Sequence, residues 1–302
     1  MRSVRAAAAG DTPKDETSLI ARLYQPRRLR YNAAMSASPA ASTGDLLGPG
    51  DPPPVEIVAG PAQASLLLVC DHAGRQVPRR LGRLGLDETA FERHIAWDIG
   101  AAEVARRLAA RFSAPLVLSA YSRLVVDTNR RPGDPTAIPE ESDGTIVPGN
   151  RGLTDRDRAQ RFVAIHEPYH AAIGARLASC RGRGVIPVIL SIHSFTPMFK
   201  GFARPWQIGV LWNRDDRLAR PLMQRLAADG VAVGDNQPYS GQDRHGYTMP
   251  RHAEETGLPH ALIEIRQNLI DTPAGAEAWA RKLADVLAPL LGHAGLYRLA
   301  GS

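Results

Sequence analysis

The sequence predicts one three-layer α/β/α domain built on a mixed, mostly parallel sheet. Three stretches carry that prediction. Leu66-Leu67-Leu68-Val69-Cys70 is an apolar run too short for a core helix, and it ends in Asp71-His72-Ala73-Gly74. Val185 to Phe195 repeats the grammar and delivers Ser191-Ile192-His193-Ser194. Ala261-Leu262-Ile263 leads into Glu264-Ile265-Arg266-Gln267. Segments with helical periodicity lie between these runs, and strands alternating with helices give sheets covered on both faces. The carboxyl edge of such a sheet is where ligands and catalytic groups collect.

The remaining elements follow in chain order. Residues 1–60 are rich in Ala, Ser, Gly and Pro and too poor in aromatic and β-branched residues to offset their ordering entropy. Residues 1–54 are therefore expected to be a disordered or over-annotated N-terminal extension, with Met35 as the alternative start. An Arg-rich transit peptide is the other reading of that segment. Pro52-Pro53-Pro54 is a stiff connector into a single domain over residues 55–296, and 297–302 is a tail. Arg75 to Leu86 reads as a loop. Ala101, Val104, Ala105, Leu108 and Phe112 mark the buried face of a helix from about Asp98 to Phe112. Pro115–Leu118 and Leu124–Val126 read as strands, and the Pro/Gly-rich residues 131–153 as a long loop over a site. A helix is expected from Pro168 to Cys180, a strand from Trp206 to Trp212 and a helix from Asp215 to Ala228. Pro238 to Pro250 reads as a second polar loop. A last helix buries Trp279, Leu283, Val286, Leu287 and Leu290.

Composition narrows the class of partner. The 302 residues carry a formal charge of +6. Residues 1–34 hold 7 of the 37 basic and 3 of the 31 acidic residues, so Met35 onward carries 30 against 28. A phosphate-binding surface needs clustered cations, which this balance does not supply, and no nucleic-acid partner is expected. No apolar run approaches the ~18 residues of a spanning helix, so no membrane passage is expected. Cys70 and Cys180 cannot build a disulfide framework, which suits a cytoplasmic protein. The oligomeric state is open.

Two histidines and a carboxylate delivered to one sheet edge point to a metal hydrolase. Catalytic zinc takes three ligands from His, Asp and Glu and leaves one position open. His72 and His193 are the first choices, and Asp98 at the start of the helix completes the set. Two of the three have a bland alternative: an exposed turn histidine for His72, an N-cap for Asp98. Glu264 faces away from Ile263 and Ile265 and is costly to bury without compensation. It is either a structural partner of Arg266 or the general base that deprotonates the attacking water. The same donors accept Mn²⁺, Co²⁺ or Fe²⁺ as well as Zn²⁺. His166-Glu167-Pro168-Tyr169-His170 spells the H-E-x-x-H zinc pattern. However, Pro168 is incompatible with the helix interior that would bring the two histidines to one face, and it suits the first turn of a helix instead. His166 is then expected outside that helix. His94, His252, His260 and His293 read as surface or satisfied residues. The sequence has no G-x-S-x-G elbow and no G-x-x-x-x-G-K loop.

Taken together, Asp71-His72-Ala73-Gly74, Trp97-Asp98-Ile99-Gly100, Ser122-Arg123-Leu124 through Asp127-Thr128-Asn129-Arg130, Ser191-Ile192-His193-Ser194-Phe195 and Glu264-Ile265-Arg266-Gln267 resemble the N-formylglutamate amidohydrolase family over roughly residues 55–290. The resemblance implies a phosphorylase/hydrolase-like fold similar to zinc carboxypeptidases. It gives His72, Asp98 and His193 the zinc and Glu264 the base. It also implies a small anionic N-acyl amino acid substrate, cleaved to glutamate and formate in histidine degradation. Carboxylates favour bidentate guanidinium partners, so Asn129 with Arg130, and Arg123 and Arg266, are the candidate clamps. Pairing of Arg123 and Arg130 with Asp127 is the structural alternative. His245, in the second polar loop, is a candidate for stabilising the oxyanion. A zinc hydrolase of another N-acyl amino acid or peptide, or a non-catalytic module on the same fold, are the competing readings.

Overall fold

The computed structural model describes residues 46–243 and 245–300. Most of the expected extension, including Met35, lies outside the described residues. Of its last nine positions, Leu46 is buried, Asp51 accepts the Arg79 N–H, and the Pro52 carbonyl accepts the Tyr121 hydroxyl. The packed chain thus includes residues ahead of position 55. At the other end the Tyr297 hydroxyl donates to the Leu291 carbonyl, and Ala300 N to Gly257 O.

Seven strands form the main sheet: β1 (Val55–Val58), β2 (Leu66–Cys70), β3 (Leu116–Ser119), β4 (Val188–Phe195), β5 (Ile208–Leu211), β6 (Val233–Asp235) and β7 (His260–Arg266). Their spatial order is β1-β3-β2-β4-β7-β5-β6. The four central strands run parallel, β1 is antiparallel to β3, and β5 is antiparallel to β7. The sheet is therefore mixed and mostly parallel. Alternation explains why β2 reads as unbroken apolar sequence. Leu66, Leu68 and Cys70 join the core on one face, whereas Leu67 and Val69 join the core on the other.

Helices cover both faces. On one side lie α1 (Ala101–Phe112), α4 (Ala219–Ala228) and α6 (Pro273–Leu291), whose Leu108, Leu222 and Leu283 share one cluster with the sheet. On the other lies α3 (Glu167–Arg181), packing Tyr169, Ile173 and Leu177 against Leu67, Val69 and Ile189. The short α5 (Thr248–His252) adds Met249 to this layer. Among the described residues, no helix is long and apolar enough to cross a membrane.

Two elements differ from the expectation. Leu124–Val126 is not a strand. Its apolar side chains are buried in a third cluster beneath the loops, with Phe91, Ile138 and Phe162. Before Pro168, helix α2 (Asp155–Arg161) runs through a π turn (Phe162–His166) directly into α3. His166 is thus inside a continuous helical segment. The proline lacks an N–H and would clash with an α-helical carbonyl four residues back, and a π turn at this point accommodates that mismatch.

Candidate active site

Strand register assembles the site. On β7 and β4, Glu264 stands opposite His193, and on β2 and β4, Val69 stands opposite Ser191, so His72 emerges at the same edge. Asp98 arrives from the segment before α1, where its N–H donates to the His72 carbonyl at 3.0 Å. It does not cap α1. The cap position is Gly100, at φ +80°, where a Cβ would overlap the Ile270 carbonyl. Gly74 is equally constrained, since a Cβ there would meet the Ala120 carbonyl.

One nitrogen each of His72 and His193 and one Asp98 oxygen lie within 4.8 Å of one another, all on buried side chains. His193 Nδ1 is 2.8 Å from Asp98 Oδ2, and His72 Nδ1 is 3.4 Å from the same oxygen. Each ring's far nitrogen is held by a further carboxylate. Asp127 Oδ1 takes His72 Nε2 at 2.7 Å, and Asp71 Oδ2 takes His193 Nε2 at 2.8 Å. These outer carboxylates are themselves fixed. Ser191 and Thr248 hydroxyls donate to Asp71, while Asn129 N–H and Arg123 donate to Asp127. A carboxylate behind each imidazole sets its tautomer and turns Nδ1 inward, the arrangement that supports metal-ligating histidines.

The charges also suit a cation. Burial pushes the acids up, but the neighbouring imidazoles, joined by Arg123 for Asp127, more than reverse this and hold Asp71, Asp98 and Asp127 below the usual carboxylate range. Burial lowers His193, yet hydrogen bonds to Asp71 and Asp98 hold it well above its ordinary value. His72 is also raised, by Asp127 and Asp98 against burial and Arg123. A divalent ion between the two Nδ1 atoms and Asp98 would neutralise this cluster with both rings uncharged. Two imidazoles and one carboxylate form a donor set that zinc accepts.

Glu264 behaves differently from the three aspartates. Burial raises its pKa to about 7, with His193 pulling the other way. Its Oε2 is buried with no hydrogen-bond partner among the described residues, and no ion pair joins it to Arg266. A carboxylate poised near neutrality beside a candidate metal cluster is suited to moving protons.

These groups open into a cavity of about 290 Å³, which His72, Asp98, His193 and Glu264 line together with Arg123, Asn129, Arg130 and His245. Arg123 lies at the wall with its amino groups donating to Asp98 at 3.4 Å and Asp127 at 3.0 Å, the internal pairing noted above. Arg130 does not pair with Asp127. It donates to the carbonyls of Asn129 and His245 and to Thr136. Asn129 Oδ1 accepts from Tyr247 and Thr248 N–H, tying this loop to the start of α5. Arg266 does not line the cavity. β7 ends there, and its guanidinium turns to Asn268 and the Arg204 carbonyl.

Sequence reasoning missed Asp71, Asp127, His94 and Gln267 at the site; the two aspartates and Gln267 lay inside motifs already singled out. His166 and His170 hold no metal cluster among the described residues. Their Nε2 atoms bond the carbonyls of Arg130 and Thr128 at 2.9 and 2.8 Å, and His170 Nδ1 meets His252 Nε2 at 2.9 Å. His252 and His260 are buried, not surface residues.

Comparison with known proteins agrees with this architecture. The chain is similar to the gene product Atu2144 from Agrobacterium tumefaciens, whose crystal structure superposes with a TM-score of 0.79 at 35% identity, over 82% of this chain and 98% of that one. It shares its fold with an N-formylglutamate amidohydrolase from Ralstonia eutropha JMP134, with a TM-score of 0.55 at 20% identity, over 79% and 97% of the two chains. No curated protein matches the sequence. The pattern of the N-formylglutamate amidohydrolase family matches residues 64–271, more than half of the chain. With that match, this chain belongs to the N-formylglutamate amidohydrolase family.

Proposed function

We propose that the protein hydrolyses the formyl amide of N-formyl-L-glutamate or a close N-formyl or N-acyl amino acid, releasing formate and the free amino acid. His72, Asp98 and His193 hold a divalent metal, zinc in the first instance. Such an ion would polarise the scissile carbonyl and acidify the attacking water.

Glu264 takes the proton from that water and passes it to the leaving amine, which must depart protonated to be a competent leaving group. Asp71 and Asp127 keep the two imidazoles oriented through the cycle. Asn129, Arg130 and Arg123 present donors and positive charge to the substrate α-carboxylate. His245, exposed at the cavity mouth, faces the developing oxyanion. The reading extends to a cytoplasmic enzyme of histidine breakdown.

The observation that carries this reading is Glu264: buried, without a partner for Oε2, and held near pH 7 opposite His193. The test is formate release from a panel of N-formyl and N-acetyl amino acids by the zinc-loaded protein. Glu264→Gln is expected to lower kcat by about 10²–10⁴-fold while bound zinc stays constant. Activity that survives this substitution removes Glu264 from the reaction.

A further inference from the structure

Behind one wall of the cavity lies a buried arginine with no counter-charge. β4 ends at Phe195, and the short hairpin after it, Met198–Phe199 against Phe202–Ala203, returns the chain to Arg204, which is 6% exposed. Its guanidinium carbon stands 5.6, 4.8 and 5.0 Å from the ring centroids of Phe195, Phe199 and Tyr239. Those ring faces offset part of the cost of burying the charge. Its hydrogen-bond partners are the Thr196 carbonyl at 3.4 Å, Thr196 Oγ1 at 3.1 Å and the Tyr239 hydroxyl oxygen at 3.2 Å, and no carboxylate among the described residues joins them. Buried cations are normally paired, so an anion from outside has a place here.

The two side-chain partners of Arg204 both line the cavity, as Glu264 and His193 do. A guanidinium only donates, so Thr196 Oγ1 and the Tyr239 oxygen accept in these bonds and each keeps its own hydrogen free. Among the described residues neither hydrogen has an acceptor. Partial burial and the Glu264 carboxylate raise the Tyr239 pKa, against Arg204, so the phenol stays protonated at neutral pH. Thr196 Oγ1 meets Nη1 and the Tyr239 oxygen meets Nη2, so the hydroxyls stand on neighbouring nitrogens of one guanidinium. Two adjacent O–H donors match the two oxygens of a carboxylate, and a charged group bonded behind each oxygen strengthens it as a donor.

We propose that Tyr239 and Thr196, polarised by Arg204 behind them, bind the side-chain carboxylate of the substrate and set a preference for an acidic N-acyl amino acid. N-formyl-L-glutamate carries two carboxylates. The α-carboxylate falls to Asn129, Arg130 and Arg123, all from the loop after β3, and Arg123 already faces Asp98 and Asp127. The second carboxylate therefore needs its own donors. Tyr239 and Thr196 come from other segments, the loop after β6 and the end of β4. A neutral amide fits them poorly, because its NH₂ would turn donors toward a hydroxyl that is already held as a donor. Arg204 acts through the two hydroxyls and is a positioning residue. The proposal rests on the amidohydrolase reading for the end of the ligand that reacts, whereas the carboxylate subsite is read by binding alone.

The test is calorimetric binding of free L-glutamate and L-glutamine to the full-length zinc-loaded protein, as wild type and as the double variant Tyr239→Phe with Thr196→Ala. Glutamate is expected to bind wild type about ten-fold or more tightly than glutamine, and the double variant to bring the two within about three-fold of each other. Equal binding of glutamate and glutamine to the wild type, which needs no variant to fold, overturns the proposal. Selectivity that survives the double variant also overturns it. In formate release from N-formyl-L-glutamate, the loss in Tyr239→Phe is expected to fall on KM rather than kcat. A loss confined to kcat would put the hydroxyl at the reacting carbonyl and overturn the subsite. Glutamate selectivity that depends on the two hydroxyls, without formate release from any N-formyl amino acid, would keep the subsite and discard the proposed reaction. Formate release without that selectivity would do the reverse.

Discussion

At the scale of single residues, the site is a set of carboxylates given different tasks by their neighbours. Asp98 faces both Nδ1 atoms, whereas Asp71 and Asp127 hold the Nε2 atoms from behind. Asp127→Asn and Asp71→Asn each keep the shape but lose the charge that fixes an imidazole. Each is expected to weaken zinc binding by about 10–100-fold, read by competition with a chromophoric chelator. Unchanged affinity would mean that the rings are oriented by packing alone. Glu264 has the opposite character. Its conjugate acid cannot accept a proton, so with a pKa raised to about 7 the protonated, inactive form accumulates as pH falls. The kcat/KM profile is therefore expected to show an acid limb with its midpoint at or below about 7, rising to a plateau on the alkaline side. A flat profile between pH 5 and 8 would contradict the assignment. His72, His193 and Glu264 were legible as candidates because each ends or follows an apolar run, and Asp98 because it stands at the start of a periodic helical segment. Asp71 and Asp127 were not read as partners of the histidines, since that role depends on which strands and loops become neighbours.

At the scale of elements, long periodic segments were legible and irregular ones were not. The α1 face showed itself through Val104, Ala105 and Leu108, all buried as the spacing required. Leu124–Val126 misled because a short apolar run fits a buried loop as well as a strand. The segment carrying Asp127 to Arg130 is secured by side chains from helix α2, the π turn and α3. Arg161, fully buried on α2, donates to the carbonyls of Val125 and Gly149 and to Asn150 Oδ1 at 2.6–3.0 Å. His166 and His170 then hold the carbonyls of Arg130 and Thr128. Burial lowers the Arg161 pKa to about 10, which leaves it charged at neutral pH. Arg161→Met fills much of the same volume but strands two buried acceptors, the Val125 carbonyl and Asn150 Oδ1, and the half-buried Gly149 carbonyl. A loss of about 2–6 kcal/mol in urea unfolding is expected, at the rate of roughly 1–3 kcal/mol for each unsatisfied buried group. A change below about 0.5 kcal/mol would show that water replaces the guanidinium freely.

At the scale of the whole molecule, the sheet gathers four buried carboxylates, Asp71, Asp98, Asp127 and Glu264, around two imidazoles and Arg123. That arrangement couples folding to pH and to the metal. The three aspartates, with lowered values, contribute stability above their unfolded pKa that is lost only in acid. His72 and His193, with raised values, contribute stability that is complete below about 6.5 and disappears as pH rises through their folded values. Glu264, also raised, adds a cost that grows between its ordinary value and about 7. Both latter effects have the same sign, so the metal-free protein is expected to lose thermal stability from pH 6 to pH 9. A divalent ion takes over the charge balance once the rings are neutral, and protons compete with it less as pH rises. Zinc at 100 times its Kd is worth about 2.7 kcal/mol, a Tm gain of about 5–10 °C for a domain of this size. Melting curves with zinc and with chelator at pH 6, 7, 8 and 9 are therefore expected to diverge progressively toward alkaline pH. Parallel curves would mean that the carboxylate cluster is balanced within the protein itself, and that the metal is not what its geometry is built to hold.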